Sequence, residues 1–168
     1  MALSMYQAFE PITKTLLTAL SGVLDKGAAF AESKKIDPLV LTGWRLAPDM
    51  FPLSRQVQIA TDMARGGAAR LAGMEVPSVP DEEKTFDELK ARIAKTLAFI
   101  ATIKPGQIDG SEEKTIVLKM RAGEMSFTGQ RYLMGFVIPN LTFHCATTYN
   151  ILRMNGVDVG KKDFLGSF

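Results

Sequence analysis

The sequence predicts an all-α protein: a four-helix bundle with a small β-hairpin between its third and fourth long helices. Three observations carry this. Apolar residues recur at spacings of three and four along four long stretches, the period of a helix with one buried face. Residues that start and stop helices bracket those stretches. Between the last two, "KTIVLKM" and "GEMSF" are short and β-prone.

The first helix runs from Ser4, a capping residue, to about Lys34. Phe9, Ile12, Leu16, Leu20, Val23 and Leu24 mark its buried stripe, and Pro11 is expected to kink it or delay its regular start. Asp37 and Pro38 open a helix of one or two turns. Pro48 closes that region, and Pro52 opens the second long helix, which reaches about Ala72 and stops at Gly73. Its stripe is Leu53, Val57, Ala60, Ala64, Gly67, Ala68 and Leu71, mostly small, so a neighbouring helix can come close. A polar, proline-punctuated loop follows. Thr85 and Glu88 then form a capping box for the third helix, which carries Phe86, Leu89, Ile93, Leu97 and Ile100 and ends at Pro105-Gly106. The hairpin turns through Arg121, Ala122 and Gly123. Thr128 caps the fourth helix, Gly129 to about Asn155, closed by Gly156. The tail is expected to be irregular, with Phe164 and Leu165 folding back.

The 168 residues suit one domain, residues 1–168, with one core. A net charge of +2 without a basic cluster argues against nucleic-acid binding. No apolar run approaches the roughly 20 residues that span a bilayer, so no membrane role is expected. The N-terminus lacks the features of a signal peptide. The single cysteine, Cys145, excludes an intramolecular disulfide and fits a reducing compartment. A cytoplasmic location is the expectation.

The most informative local feature lies on the fourth helix. Each helical residue advances by about 100°, so Asn140, His144 and Thr148 stack on one line. That line lies near the middle of a wide apolar arc that includes Leu133, Val137, Leu141, Cys145 and Ile151. A buried polar group without a partner costs roughly 1–3 kcal/mol. The line is therefore either a satisfied structural network or one wall of a site, since bundles build their sites on inward lines. Its partner on the second helix would be Gln58 or Arg55; Gln56 lies among the same polar first turns. Cys145 points about 100° away from His144, which argues against a Cys–His nucleophile pair.

Trp44 and Phe51, in the proline-bounded stretch, either plug the core or shape a pocket at one end of the bundle. "GGAARLAG" lacks phosphate-loop spacing and is read as close helix packing. Glu82-Glu83 and Glu112-Glu113 are read as solvating and helix-start charges.

The stretches "LSMYQA", "RLAPDMFPLSRQVQIA", "VIPNLTFHCATTYNILRMNGV" and "GKKDFLG" span nearly the whole chain. Together they resemble the DinB/YfiT-like superfamily of metalloenzymes, and most of all a branch named only as a domain of unknown function. The resemblance implies a four-helix bundle, often dimeric. In many members three histidines hold a divalent metal, one on the second helix and an HxxxH pair on the fourth, and some members are thiol-dependent transferases or isomerases. His144 is followed by Leu152-Arg153 and Gly156, as the last ligand histidine is in that pattern. The preceding ligand position falls on Asn140, and with no other histidine in the chain the second-helix position is left to Gln58 or Asp62. Amide oxygens are poor replacements for imidazole at Zn or Ni. The expectation is therefore no cofactor, and a polar pocket around His144, Asn140, Thr148, Gln58, Asp62 and Arg55. That pocket implies small-molecule binding or a structural or interaction role. A metal- or thiol-dependent transferase or hydrolase is the alternative. The apolar arc of the fourth helix is wider than one buried face needs, so a homodimer is expected.

Overall fold

The computed structural model describes residues 3–120 and 123–166. Four long helices form the bundle: α1 (Met5–Lys34), α3 (Leu53–Leu71), α4 (Phe86–Thr102) and α7 (Ile138–Met154). Around the bundle they follow the order α1, α4, α3, α7, each packing on two neighbours. Short helices α2 (Pro38–Thr42), α5 (Pro105–Ile108), α6 (Gly129–Tyr132) and α8 (Lys161–Leu165) and the hairpin β1 (Thr115–Met120) and β2 (Gly123–Thr128) complete it.

The local start signals hold. Ser4 and Thr85 each close a capping box, on Gln7 and Glu88. Asp37 accepts from the Leu39 N–H, and Thr128 from the Arg131 N–H. α1 continues through Pro11 as one helix of 30 residues. It ends on Lys35, whose positive φ lets its N–H and that of Ile36 return to the Ala31 carbonyl.

Three expectations change. The fourth long helix is not regular: between α6 and α7, Leu133–Val137 form a π-helical turn, in which the Ile138 N–H bonds the Leu133 carbonyl. Pro139 follows one residue later, in the first turn of α7. It has no N–H, and its ring crowds the preceding turn, so a widened turn there relieves the conflict. The tail contains α8, held by Asp163, which accepts from the Gly160 N–H at 2.8 Å and pairs with Lys26. Trp44 and Phe51 do not plug the core; both side chains are largely exposed, and the Arg55 guanidinium sits over the Phe51 ring.

The hairpin is antiparallel, with Ile116 opposite Phe127 and Leu118 opposite Met125. Ile116 and Leu118 face the core, and Phe127 packs on Tyr132 and Phe136. Of the expected turn, Arg121 and Ala122 lie outside the described residues. The small stripe of α3 is the seam with α7: Ala60, Ala64 and Ala68 are fully buried, and a Cβ on Gly67 would lie 2.8 Å from Val137 Cγ1 in the π turn. On the fourth helix the apolar arc is only partly covered. Leu141, Cys145, Ile151 and Leu152 are buried, whereas Met134, Phe143 and Met154 are more than half exposed.

The exit of the hairpin is fixed by backbone contact. Gln130 N–H bonds the Glu112 carbonyl at 2.9 Å, and a Cβ on Gly129 would meet the Ser111 carbonyl oxygen at 1.9 Å. Two backbones would have to part to admit it. Gly129→Ala should therefore lower stability by about 1–3 kcal/mol, the usual range for overpacking, seen as a reduced urea midpoint. Gln130→Ala, at an exposed side chain on the same turn, should leave the midpoint nearly unchanged.

Candidate functional site

Two polar centres flank α3, one on each seam. At the α3–α7 seam, His144 is 8% exposed and its Nδ1 lies 2.6 Å from Gln56 Oε1. Gln56 Nε2 donates to the Phe51 carbonyl at 3.0 Å, which turns the amide oxygen toward the ring. An amide oxygen only accepts, so Nδ1 carries the proton and donates. That tautomer leaves Nε2 with its lone pair, and no described residue donates to it. The Phe143 ring meets the imidazole edge-on, with centroids 5.2 Å apart. Burial, and next the charge of Arg55, hold the His144 pKa below its ordinary value.

The partner on the second long helix is therefore Gln56, rather than Gln58, Asp62 or Arg55. The helix wheel gives the reason. Gln56 lies within about 40° of Ala60 and Gly67 on the α7-facing stripe, whereas Gln58, Asp62 and Arg55 point away from it. The two residues in line with His144 bond locally. Asn140 donates to the Phe136 carbonyl at 2.7 Å, and the Thr148 hydroxyl donates to the His144 carbonyl at 3.0 Å. Neither reaches the imidazole. Cys145 is buried, and burial pushes its thiol up to about 12, so it is no nucleophile at neutral pH.

The second centre, at the α3–α4 seam, is built on Arg92, whose side chain is 1% exposed. Its Nε donates to Thr61 Oγ1 at 2.8 Å, and Nη1 to the Pro80 carbonyl at 2.8 Å and to Glu83. Nη2 reaches Asp62 at 2.7 Å and Asp81 at 2.9 Å. Burial opposes the charge, yet Glu83 and Asp62 more than offset it and hold the Arg92 pKa above its ordinary value. Gln58 donates to Glu83, Arg55 pairs with Asp81, and Arg65 pairs with Asp62. Three residues expected around His144 thus belong here. Glu83, read as a solvating charge, is a partly buried ion-pair partner with 15% of its side chain exposed.

Beside this network lies a cavity of about 430 Å³ between α3, α4 and the loop before α4. Arg65, Arg92 and Lys95 supply its cations, and Pro77, Val79 and Phe99 much of its apolar wall. Arg92, Arg65 and this cavity are not evident from helix periodicity alone. The available signal was Arg92 itself, a cation three residues after Leu89 and one before Ile93 on a core stripe, with the acid-rich "PDEEK" beside it.

Residues 5–165 match the family described as a domain of unknown function (DUF1993). The chain belongs to this family. A comparison with curated proteins finds no match. Among solved structures, a DinB family member protein from Shewanella denitrificans is 41% identical, with 97% of this chain and 92% of that one covered at a TM-score of 0.88. The DUF1993 chain is thus a DinB-like bundle, as its sequence motifs implied.

Two outcomes follow. Because the folded-state pKa of His144 is lowered, the unfolded DUF1993 chain binds the proton more readily. Stability is then complete above the unfolded value of about 6.5 and declines as pH falls through it toward the folded value. Histidine NMR should show a midpoint below 6.5, and His144→Leu should both flatten this pH dependence and cost about 1–3 kcal/mol by orphaning Gln56. Arg92→Met should cost about 3 kcal/mol in urea unfolding, the lower end for a broken buried ion pair, since Asp62 and Asp81 keep about a third of their side chains in solvent.

Proposed function

We propose that this chain is a DinB-like bundle that works without a bound metal, and that it binds a small organic molecule. The observation that carries the first half is the donor set at His144. The superfamily resemblance implies a divalent metal at that position, and the residues present do not fit one. One imidazole nitrogen, Nε2, is available; the other is committed to Gln56. Asn140, at the neighbouring ligand position, turns its amide to the Phe136 carbonyl. No group of three His, Cys, Asp or Glu side chains among the described residues is placed to hold a metal ion. A catalytic zinc needs three strong protein ligands. In this reading the His144–Gln56 hydrogen bond takes over the cross-link between α3 and α7 that a metal would otherwise supply.

The second half is supported by the cavity on the opposite side of α3. Its volume falls in the range of about 300–1,000 Å³ in which ligand pockets lie, and it combines apolar walls with a few charged groups.

We also read the protein as a cytoplasmic homodimer. A lone buried thiol suits a reducing compartment, and no described helix is long and apolar enough to cross a membrane. Phe143 and Met154 lie three turns apart on one exposed line of α7, a suitable seam for a two-fold contact between copies.

Protein purified without a histidine tag should carry no stoichiometric Zn, Ni or Fe by elemental analysis. A ratio near one per chain that His144→Ala abolishes would reverse the metal reading and restore a metal-dependent transferase or hydrolase. Light scattering should give twice the 18.4 kDa of the chain; a constant monomer mass on concentration would defeat the dimer.

A further inference from the structure

We infer that the cavity between α3, α4 and the loop before α4 binds a small organic carboxylate with an apolar body, and that Arg65 is its anchor. This rests on the small-molecule reading above and gives it a site and a ligand class.

Among the residues that line the cavity, Arg65 is the one with a buried polar atom left unpaired. Its side chain is 8% exposed, yet only Nη2 has a partner, Asp62 at 2.6 Å. Its Nε is buried without any hydrogen bond, and no described residue accepts from Nη1. A buried, half-satisfied guanidinium is costly, and this one lines the cavity. Its neighbour Arg92 shows the contrast, because every nitrogen there has an acceptor.

The unmet capacity around the cavity is mostly donor capacity. Glu83 is held by Arg92 and Gln58. Glu88 accepts from the Lys84 and Thr85 N–H groups, which hold its pKa below the ordinary carboxylate value. Lys95 has no ion-pair partner among the described residues. Arg65, Arg92 and Lys95 face Glu82, Glu83 and Glu88, but two of those carboxylates are already committed, whereas Arg65 and Lys95 have N–H groups to give. A guanidinium with free N–H groups prefers a planar carboxylate. Pro77, Val79, Pro80 and Phe99 offer the rest of the ligand an apolar surface.

The site is also independent of the superfamily metal position. Arg65 lies nine positions after Gln56, and nine steps of about 100° are half a turn beyond two full ones. Arg65 therefore points away from His144, across the width of α3.

The probe is 3-phenylpropanoate, with 3-phenylpropanamide as its neutral counterpart, titrated into the full chain labelled with ¹⁵N. The expected result is a saturable shift of the Arg65 Nε–H signal and of the Ala91 and Phe99 amides. The amide should bind at least about tenfold more weakly. Arg65→Met should remove the carboxylate preference. Ala91→Phe, at an exposed position that lines the cavity, should block both probes without opening the core, so the test stands even if Arg65→Met fails to fold. Equal binding of the two probes would overturn the carboxylate assignment. No saturable shift up to about 10 mM, a free energy near −3 kcal/mol, would overturn the site. Shifts centred on His144 and Gln56 instead would overturn this location while leaving small-molecule binding intact. Stoichiometric metal at His144 would do the reverse, sinking the non-metal reading and not the cavity.

Discussion

The burial of the Arg92 guanidinium governs much of this structure. A charge withdrawn from water is tolerated only when opposite charge and acceptors close around it. α3 supplies Thr61 and Asp62, but these meet only part of the requirement. The rest comes from Pro80, Asp81 and Glu83, in a segment with no helix or strand of its own. The cation thus draws an otherwise irregular loop onto the α3–α4 seam. The consequences spread outward. Glu83, once placed, takes Gln58; Asp81 takes Arg55; and the charge of Arg55 bears on His144. The loop so held also forms one wall of the cavity.

α3 is the element on which both seams meet. One face is built largely of small residues, Ala60, Ala64, Gly67 and Ala68, and lets the π turn before α7 approach until Val137 fills the space where a side chain would be. The other is dense with charge. A helix so divided must hold its rotation, because a turn of one residue would bring Asp62 and Arg65 toward the apolar seam. Gln56 sits at the edge of the small stripe, where it can reach both His144 and the Phe51 carbonyl. It locks that rotation from the α7 side, as Arg92 does from the α4 side.

What could be read from the sequence follows from how local each signal is. Helix starts at Ser4, Asp37, Thr85 and Thr128 were legible because a cap is a contact within a few residues. The bundle was legible because its four stripes are long and periodic. The π turn was not, although Pro139 marks it: proline announces a conflict with the helix and leaves open whether a kink, an end or a widened turn resolves it. α8 was missed because only part of its hold is local, Asp163 on the Gly160 N–H, while the rest is on Lys26, far away in the chain. The inward line of Asn140, His144 and Thr148 gave the burial of His144 correctly, but two of its members bond back to their own helix. The choice among Gln56, Gln58, Asp62 and Arg55 needed the phase of α3 applied to each candidate in turn. Arg92 was overlooked because a lone arginine next to a core stripe reads as solvated until its carboxylates, which lie on two separate segments, are seen to converge.

The one thiol of the chain sits one residue from the centre of the α3–α7 seam, shielded from solvent and held as the unreactive protonated form. Alkylating reagents attack thiolates, so Cys145 is silent while α7 stays seated and becomes visible when that helix swings out or unfolds. With no second cysteine to confuse the signal, modification rate under native conditions becomes a clock for the unseating of α7.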